Sequence, residues 1–391
     1  MIPESAPADA RAVRPARTRH TVLVVGPLPP PHHGGAVATR TLLESPLAER
    51  YRLVHLDTTD RRGMDNIGRL DPGNIRLALL HGLRFVRLLR FESPALVYVP
   101  LAQNRLGFLR DVLFMVPTLF SKARLVVHVH GGGFRAFHDG TDPVMRALIR
   151  RCLAGVDRAI VLGERLRPML AGLVPDGRVT VVPNGIADPY GGLLTRPAAN
   201  GSVDGGCHVV YLGTLMAAKG FLDLLAAAAR LKSALPGVRY TFAGEFYRPD
   251  DRDRAMRCVE GQLEDVVTFA GTVDGERKAE LLRSADIFVF PTHYPYEGHP
   301  YVILEAMAAG LPVVTTARAA IAETIEDGAS GLLVPEHDPE ALDAAIVRLA
   351  TSPELRAKLG EAARTRFLSR YTLSAWSTDM VTTFEEALAR R

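Results

Sequence analysis

The sequence predicts an α/β protein of two doubly wound parallel-sheet domains facing a cleft. Three observations predict it. Short apolar, β-branched runs alternate with helix-period segments over most of the length. The alternation breaks once, near the middle, and then restarts. The chain has 391 residues, enough for two cores.

The first half opens, after a leader over residues 1–19 rich in Ala, Pro and Arg, on the run Thr21–Gly26 (TVLVVG). The leader lacks the apolar core of a signal peptide and is expected to be disordered. TVLVVG reads as a buried parallel strand. Further strands are expected at Arg52–Leu56, Leu96–Val99, Leu125–Val129, Ala159–Leu162 and Val179–Val182. Helix-period segments lie at Ala36–Leu43, Pro72–Phe91, Leu106–Phe120, Pro143–Leu153 and Glu164–Leu170. This is a Rossmann-like domain over residues 20–187. Asn184-Gly185 is turn chemistry, and residues 188–206, rich in Gly, Ala and Pro without periodicity, read as a linker.

Over residues 207–365 the pattern restarts as a second Rossmann-like domain. Strands are expected at Val209–Leu212, Arg239–Ala243, Val266–Phe269, Ile287–Phe290, Pro312–Thr315 and Leu332–Val334. Helices are expected at Phe221–Ser233, Asp251–Gln262, Glu276–Arg283, Pro300–Ala309 and Pro339–Ala350. Residues 366–391 are helical and placed to return to the first domain. Ligands of open α/β sheets bind beyond the carboxyl ends of the strands, so a cleft ligand would touch loops of both halves.

Composition narrows the class. The chain is 47% hydrophobic and 23% charged, with a net charge of +4 spread along its length. That distribution argues against nucleic acid. Three cysteines without metal-ligand spacing suggest a reducing, cytoplasmic compartment. The apolar stretch 101–120 is broken by Arg105, Arg110 and Asp111, so no transmembrane helix is expected. Residues Asn74–Phe91 are apolar but carry Arg76, Arg84, Arg87 and Arg90. They read either as a packed crossover helix or as a basic amphipathic helix on the inner face of a membrane.

The chemistry concentrates in Pro291–Thr316. Glu297 and Glu305 are eight positions apart, separated by a Gly298-His299-Pro300 break and a helix. Pro300 suits a first helical position, and the helix end offers free N–H groups to an anion. The two glutamates read either as a cap and a surface residue, or as acceptors for sugar hydroxyls on either side of a phosphate. Lys219 opens a helix after a strand and could neutralise a diphosphate, or be a solvated helix-start lysine. Gly34 and Gly35 follow the first strand beside His32 and His33, where backbone can approach a ligand or merely turn. His130 ends a strand before three glycines. His128 shares its face and reads as a hydrogen-bonded core histidine. Asp251 and Asp253 sit at a charged helix start, where aspartates are ordinary, and no metal is expected.

Taken in order, Gly34-Gly35, His130 in HVHGGG, Val182-Pro183-Asn184-Gly185, Tyr211-Leu212-Gly213 with Lys219-Gly220, and Glu297 to Val314 resemble the retaining glycosyltransferases of the GT-B fold, family 4, with their Glu-x7-Glu motif. The resemblance implies transfer of a sugar from a nucleotide diphosphate sugar to a hydroxyl acceptor, lipid-linked or saccharide, in polysaccharide, glycolipid or glycosylated-metabolite biosynthesis. It implies no cofactor. The donor would bind the C-terminal half and the acceptor the N-terminal half. His130 and Glu297 would meet the donor sugar near the reacting carbon, Glu305 the ribose, and Gly298, His299, Pro300 and Tyr301 the sugar and diphosphate. Gly34, Gly35 and Lys219 would meet the diphosphate, and Gly271, Thr272 and Val273 the base. The family often carries an arginine where this sequence has Thr214. A nucleotide-sugar epimerase or hydrolase and a non-catalytic binding subunit are the alternatives.

Overall fold

The computed structural model describes residues 19–30, 34–60, 71–191 and 206–390. All but the last residue of the expected leader, His32, His33 and most of the expected linker lie outside these ranges.

In the N-terminal domain the chain runs β1 (Thr21–Gly26), α1 (Gly34–Glu44), α2 (Leu47–Arg50), β2 (Arg52–Asp57), α3 (Pro72–Glu92), β3 (Leu96–Pro100), α4 (Arg105–Leu119), β4 (Arg124–Val129), α5 (Phe134–Asp139), α6 (Pro143–Ala154), β5 (Arg158–Val161) and β6 (Val179–Val181). The six strands form one sheet in the order β2-β1-β3-β4-β5-β6, every neighbour parallel. The central strands are buried on both faces, which is why they read as continuous apolar runs. Glu164–Leu170, expected as a helix, is a 3-10 turn with Pro168 inside it. A proline there removes the N–H that a longer α-helix needs.

The C-terminal domain repeats the plan. It runs β7 (Cys207–Leu212), α7 (Phe221–Leu231), β8 (Val238–Ala243), α8 (Pro249–Val259), β9 (Val267–Gly271), α9 (Gly275–Ser284), β10 (Ile287–Phe290), α10 (Tyr301–Ala308), β11 (Val313–Thr316), α11 (Ile321–Thr324), β12 (Gly331–Val334), α12 (Pro339–Ala350) and α13 (Pro353–Arg370). Its parallel sheet has the order β12-β11-β10-β7-β8-β9. The first residues of the expected linker are pinned. Arg364 makes a bidentate pair with Asp188 (2.8 and 2.7 Å), and the Tyr190 hydroxyl donates to Ala279 O (3.1 Å).

After α13 the chain crosses back. The Ile186 N–H donates to Tyr371 O (3.0 Å) and the Leu373 N–H to Ile186 O (2.7 Å), so the two crossings run side by side. The last helix, α14 (Leu373–Leu388), then covers one face of the N-terminal sheet. Its Trp376, Met380, Phe384 and Ala387 pack with Val22, Val24, Tyr98 and Ile160 in one core cluster.

Candidate active site in the interdomain cleft

The loop from β10 to α10 is anchored by two threonines of the neighbouring strand β11. The Thr315 hydroxyl donates to Phe290 O (2.7 Å) and the Thr316 hydroxyl to Thr292 O (2.5 Å). The Glu297 N–H donates to Tyr294 O (3.1 Å), which closes a turn and directs the Glu297 side chain inward. Glu297 is buried. Its Oε2 accepts from the Thr292 hydroxyl (3.2 Å) and lies 3.7 Å from Lys219 Nζ.

Lys219 closes a single 3-10 turn after β7. Two features hold that turn. Asp251 Oδ1 accepts from the Ala217 N–H (3.1 Å). Gly220 has φ +81°, and a Cβ there would stand 2.2 Å from Pro291 O, so only glycine lets the turn back onto the β10 loop. The Lys219 ammonium also faces the rings of Tyr294 (5.6 Å) and Phe290 (5.8 Å). Asp251 is thus more than a helix-start residue: it is buried and positions the lysine turn.

The N-terminal domain meets this loop directly. The Gly132 N–H donates to Tyr296 O (3.2 Å). A Cβ on Gly298 would stand 2.3 Å from His130 O, so Gly298 permits the contact between the two domains. His130 stacks on His128, with ring centroids 3.8 Å apart. The Tyr98 hydroxyl lies 2.8 Å from His128 Nδ1 and 3.3 Å from His130 Nε2. Burial pushes the His130 imidazole down to about 4. The ring is therefore neutral at pH 7, suited to hydrogen bonding and not to charge stabilisation. Gly34 and Gly35 open α1 at the carboxyl edge of the same sheet, and Gly34 is exposed with open space where a Cβ would stand.

Glu305 lies on α10 and pairs with Lys278 of α9. Burial raises the Glu305 carboxyl, and the Lys278 ammonium opposes that rise. Gly271 ends the edge strand β9, and Thr272 and Val273 follow it on the connection into α9 and Lys278; Gly271 and Thr272 are exposed and Val273 half-buried. Lys278 was not singled out from the sequence. Its place in the first turn after a strand-end loop, next to the expected base contacts, is the signal that would have found it. Tyr98 was missed as well, because it reads as one more buried strand residue.

The reading of Pro300 as the first helical residue is corrected, and the expected contact of His299 is narrowed to its backbone. The His299 side chain faces the protein, and both its ring nitrogens are bonded. Nδ1 accepts from the Asn184 N–H (2.9 Å). The Thr324 hydroxyl, which donates to Ala320 O, accepts from Nε2 (2.9 Å). Only its backbone N–H is left for a ligand. Asn184 completes the clasp: its Nδ2 donates to His299 O (2.8 Å), and its Oδ1 accepts from the Tyr301 hydroxyl (3.3 Å). Pro300 is the N-cap and not the first helical residue, because its ψ of 125° is extended. The free N–H groups of α10 therefore begin at Tyr301.

Burial of neutral histidines sets an acid limit. His130 is held at about 4 and His299 at about 3, both from an ordinary 6.5. The unfolded chain takes up protons below pH 6.5 that the folded one refuses, so stability falls as pH drops through that value. The fall continues to about pH 4 for His130 and about pH 3 for His299. Urea unfolding at pH 7 and pH 5 checks this: the midpoint is expected to be lower at pH 5, and an unchanged midpoint would contradict it.

The chain is similar to known proteins over its sequence and its fold. The model of the glycosyl transferases group 1 family matches residues 196–366. A D-inositol 3-phosphate glycosyltransferase of Acidothermus cellulolyticus is 35% identical over 202 residues, 49% of this chain and 44% of that protein. The chain spans about half the length of the curated relatives it matches. Among solved structures, a sucrose-phosphate synthase from Thermosynechococcus elongatus superposes with a TM-score of 0.74 at 20% identity, over 95% of this chain and 100% of that one. HepE of Anabaena, solved with UDP-glucose, superposes with a TM-score of 0.71 at 18% identity, over 94% and 100%. Its C-terminal domain is thus similar to the glycosyl transferases group 1 family, and over nearly its whole length the chain has the GT-B fold.

Proposed function

We propose that the protein is a retaining glycosyltransferase that moves a sugar from a nucleotide diphosphate sugar to a hydroxyl of a lipid-linked or saccharide acceptor. The observation that carries this is the meeting of Lys219 and Glu297, 3.7 Å apart, at the edge of the cleft that His130 closes from the other domain. A cation and a sugar-hydroxyl acceptor on one spot suit the bond between an anomeric carbon and a diphosphate. In the reaction that bond breaks while the acceptor oxygen bonds to the same face of the carbon. The acceptor proton passes to the leaving diphosphate oxygen. Lys219 and the free amides of α10 stabilise the developing charge. Glu297 and His130 orient the sugar through its hydroxyls, and no protein nucleophile is used. This separates the pair Glu297 and Glu305 from the acid and nucleophile of a glycosidase. No metal takes part in the reaction as proposed.

Glu305 is assigned the ribose hydroxyls, beside the base contacts of Gly271, Thr272 and Val273. Glu305→Ala is expected to raise the donor KM roughly 10- to 100-fold with little change in kcat, because the contact is the same in ground and transition states. Full donor affinity in that variant would remove Glu305 from the site. The reading places the enzyme in the cytoplasm. Its three cysteines are free, Cys152 and Cys207 buried and Cys258 exposed, which suits a reducing compartment.

Thermal unfolding with UDP, GDP and ADP sugars tests the whole reading. UDP-hexoses come first, since UDP-glucose is the ligand of HepE. The true donor at a hundredfold excess over its Kd stabilises by about 2.7 kcal/mol. Product analysis then decides the reaction. Bulk epimerised or hydrolysed sugar nucleotide, with no transfer to any acceptor, would favour the epimerase or hydrolase.

A further inference from the structure

Helix α3 leaves half its surface uncovered. One side is packed: His81 and Phe85 are buried, and Gly82 faces Leu113 of α4. The other side shows Ile75 (49% exposed), Leu79 (56%), Leu83 (70%) and Val86 (48%) along one stripe, with Leu80 (40%) and Phe91 (73%) at its border. These are six of the thirteen exposed large apolar side chains among the described residues, so the patch is concentrated on one helix and not scattered. Arg76, Arg84, Arg87 and Arg90 lie among them on the same exposed side. Residues 72–91 contain no Asp or Glu, and among the described residues none of the four arginines has an ion-pair partner.

We propose that this face of α3 docks on an anionic lipid surface, the apolar stripe seated at the headgroup and acyl boundary and the arginines on the lipid phosphates. The charge is one-signed and borders the apolar stripe, which fits an anionic bilayer. A helix of this length lies about 31 Å along the surface. No helix among the described residues is long and apolar enough to cross a membrane, so the contact is peripheral. Topology gives it a use. The amino end of α3 lies at the carboxyl edge of the N-terminal sheet, the edge that carries Gly34 and His130. Docking therefore sets the acceptor side of the cleft beside the bilayer. The docking itself is independent of the transferase reading, and it is tested without catalysis.

Cosedimentation of the full chain with phosphatidylcholine vesicles, and with vesicles that also contain phosphatidylglycerol, is the experiment. Binding to the anionic vesicles alone, weakening with salt, is expected. Each arginine removed in Arg84→Ala and Arg87→Ala should weaken partitioning about fivefold. The exposed pair Leu79→Gln and Leu83→Gln should abolish it while thermal stability is kept. Absence of binding to anionic vesicles overturns the proposal, and so does binding that survives both pairs of substitutions. A concentration-dependent dimer that is lost in the leucine variant, without vesicle binding, makes a second copy of the chain the occupant and also overturns it.

Discussion

Replacing Lys219 by alanine is expected to lower kcat about 100- to 1000-fold, the size of effect seen when one preorganised charge-stabilising group is removed. The fold should survive, because the ammonium does not hold its own turn. Asp251 and the Gly220 approach to Pro291 do that. The donor KM should rise less than kcat falls, since the charge that Lys219 meets grows as the diphosphate leaves. Thr214 offers no charge at the position where the family often places an arginine, which concentrates the effect on Lys219. Steady-state kinetics with the identified donor measures it. An unchanged kcat would transfer the charge-stabilising role to other groups, such as the α10 amides.

The second large effect is one of stability. His299→Ala is expected to cost about 2–4 kcal/mol, combining a void left by a buried ring with the loss of the acceptor for the Asn184 N–H. Urea unfolding at pH 7 reads it directly. A variant as stable as the parent would mean that the clasp between Asn184 and the α10 entry is held by the backbone and Tyr301 alone. The same substitution should also flatten the stability loss between pH 7 and pH 5, because one of the neutral buried imidazoles is gone.

The two predictions separate what the sequence displays from what it hides. Strands such as Thr21–Gly26 and Ile287–Phe290 were legible because a strand buried on both faces leaves a short apolar, β-branched run, here closed by Gly26 or Pro291. Glu297 and Lys219 were legible as candidates because each ends or follows such a strand, at the edge where ligands bind. The role of His299 was not legible. Its place beside Glu297 suggests a ligand contact, yet the direction of its ring is decided by Asn184, 115 residues earlier. Lys278 was hidden for a related reason. A lysine on a helix with polar neighbours reads as solvated, and only the tertiary approach of α9 to α10 brings it to Glu305. Asp251 looked ordinary because its sequence position is ordinary. Its partner, the Ala217 N–H, belongs to a turn that pattern alone does not show.

The return of α14 to the first sheet has a consequence for synthesis. Phe384 packs near Tyr51 and Tyr98, so the N-terminal domain lacks part of its core until residues 373–388 have been made. Among the described residues, the C-terminal domain's own core ends at Tyr371. The usual vectorial order, in which the first-made domain folds first, is thereby reversed at the final step. The half that would receive the acceptor is completed last, after the donor half has its full set of strands.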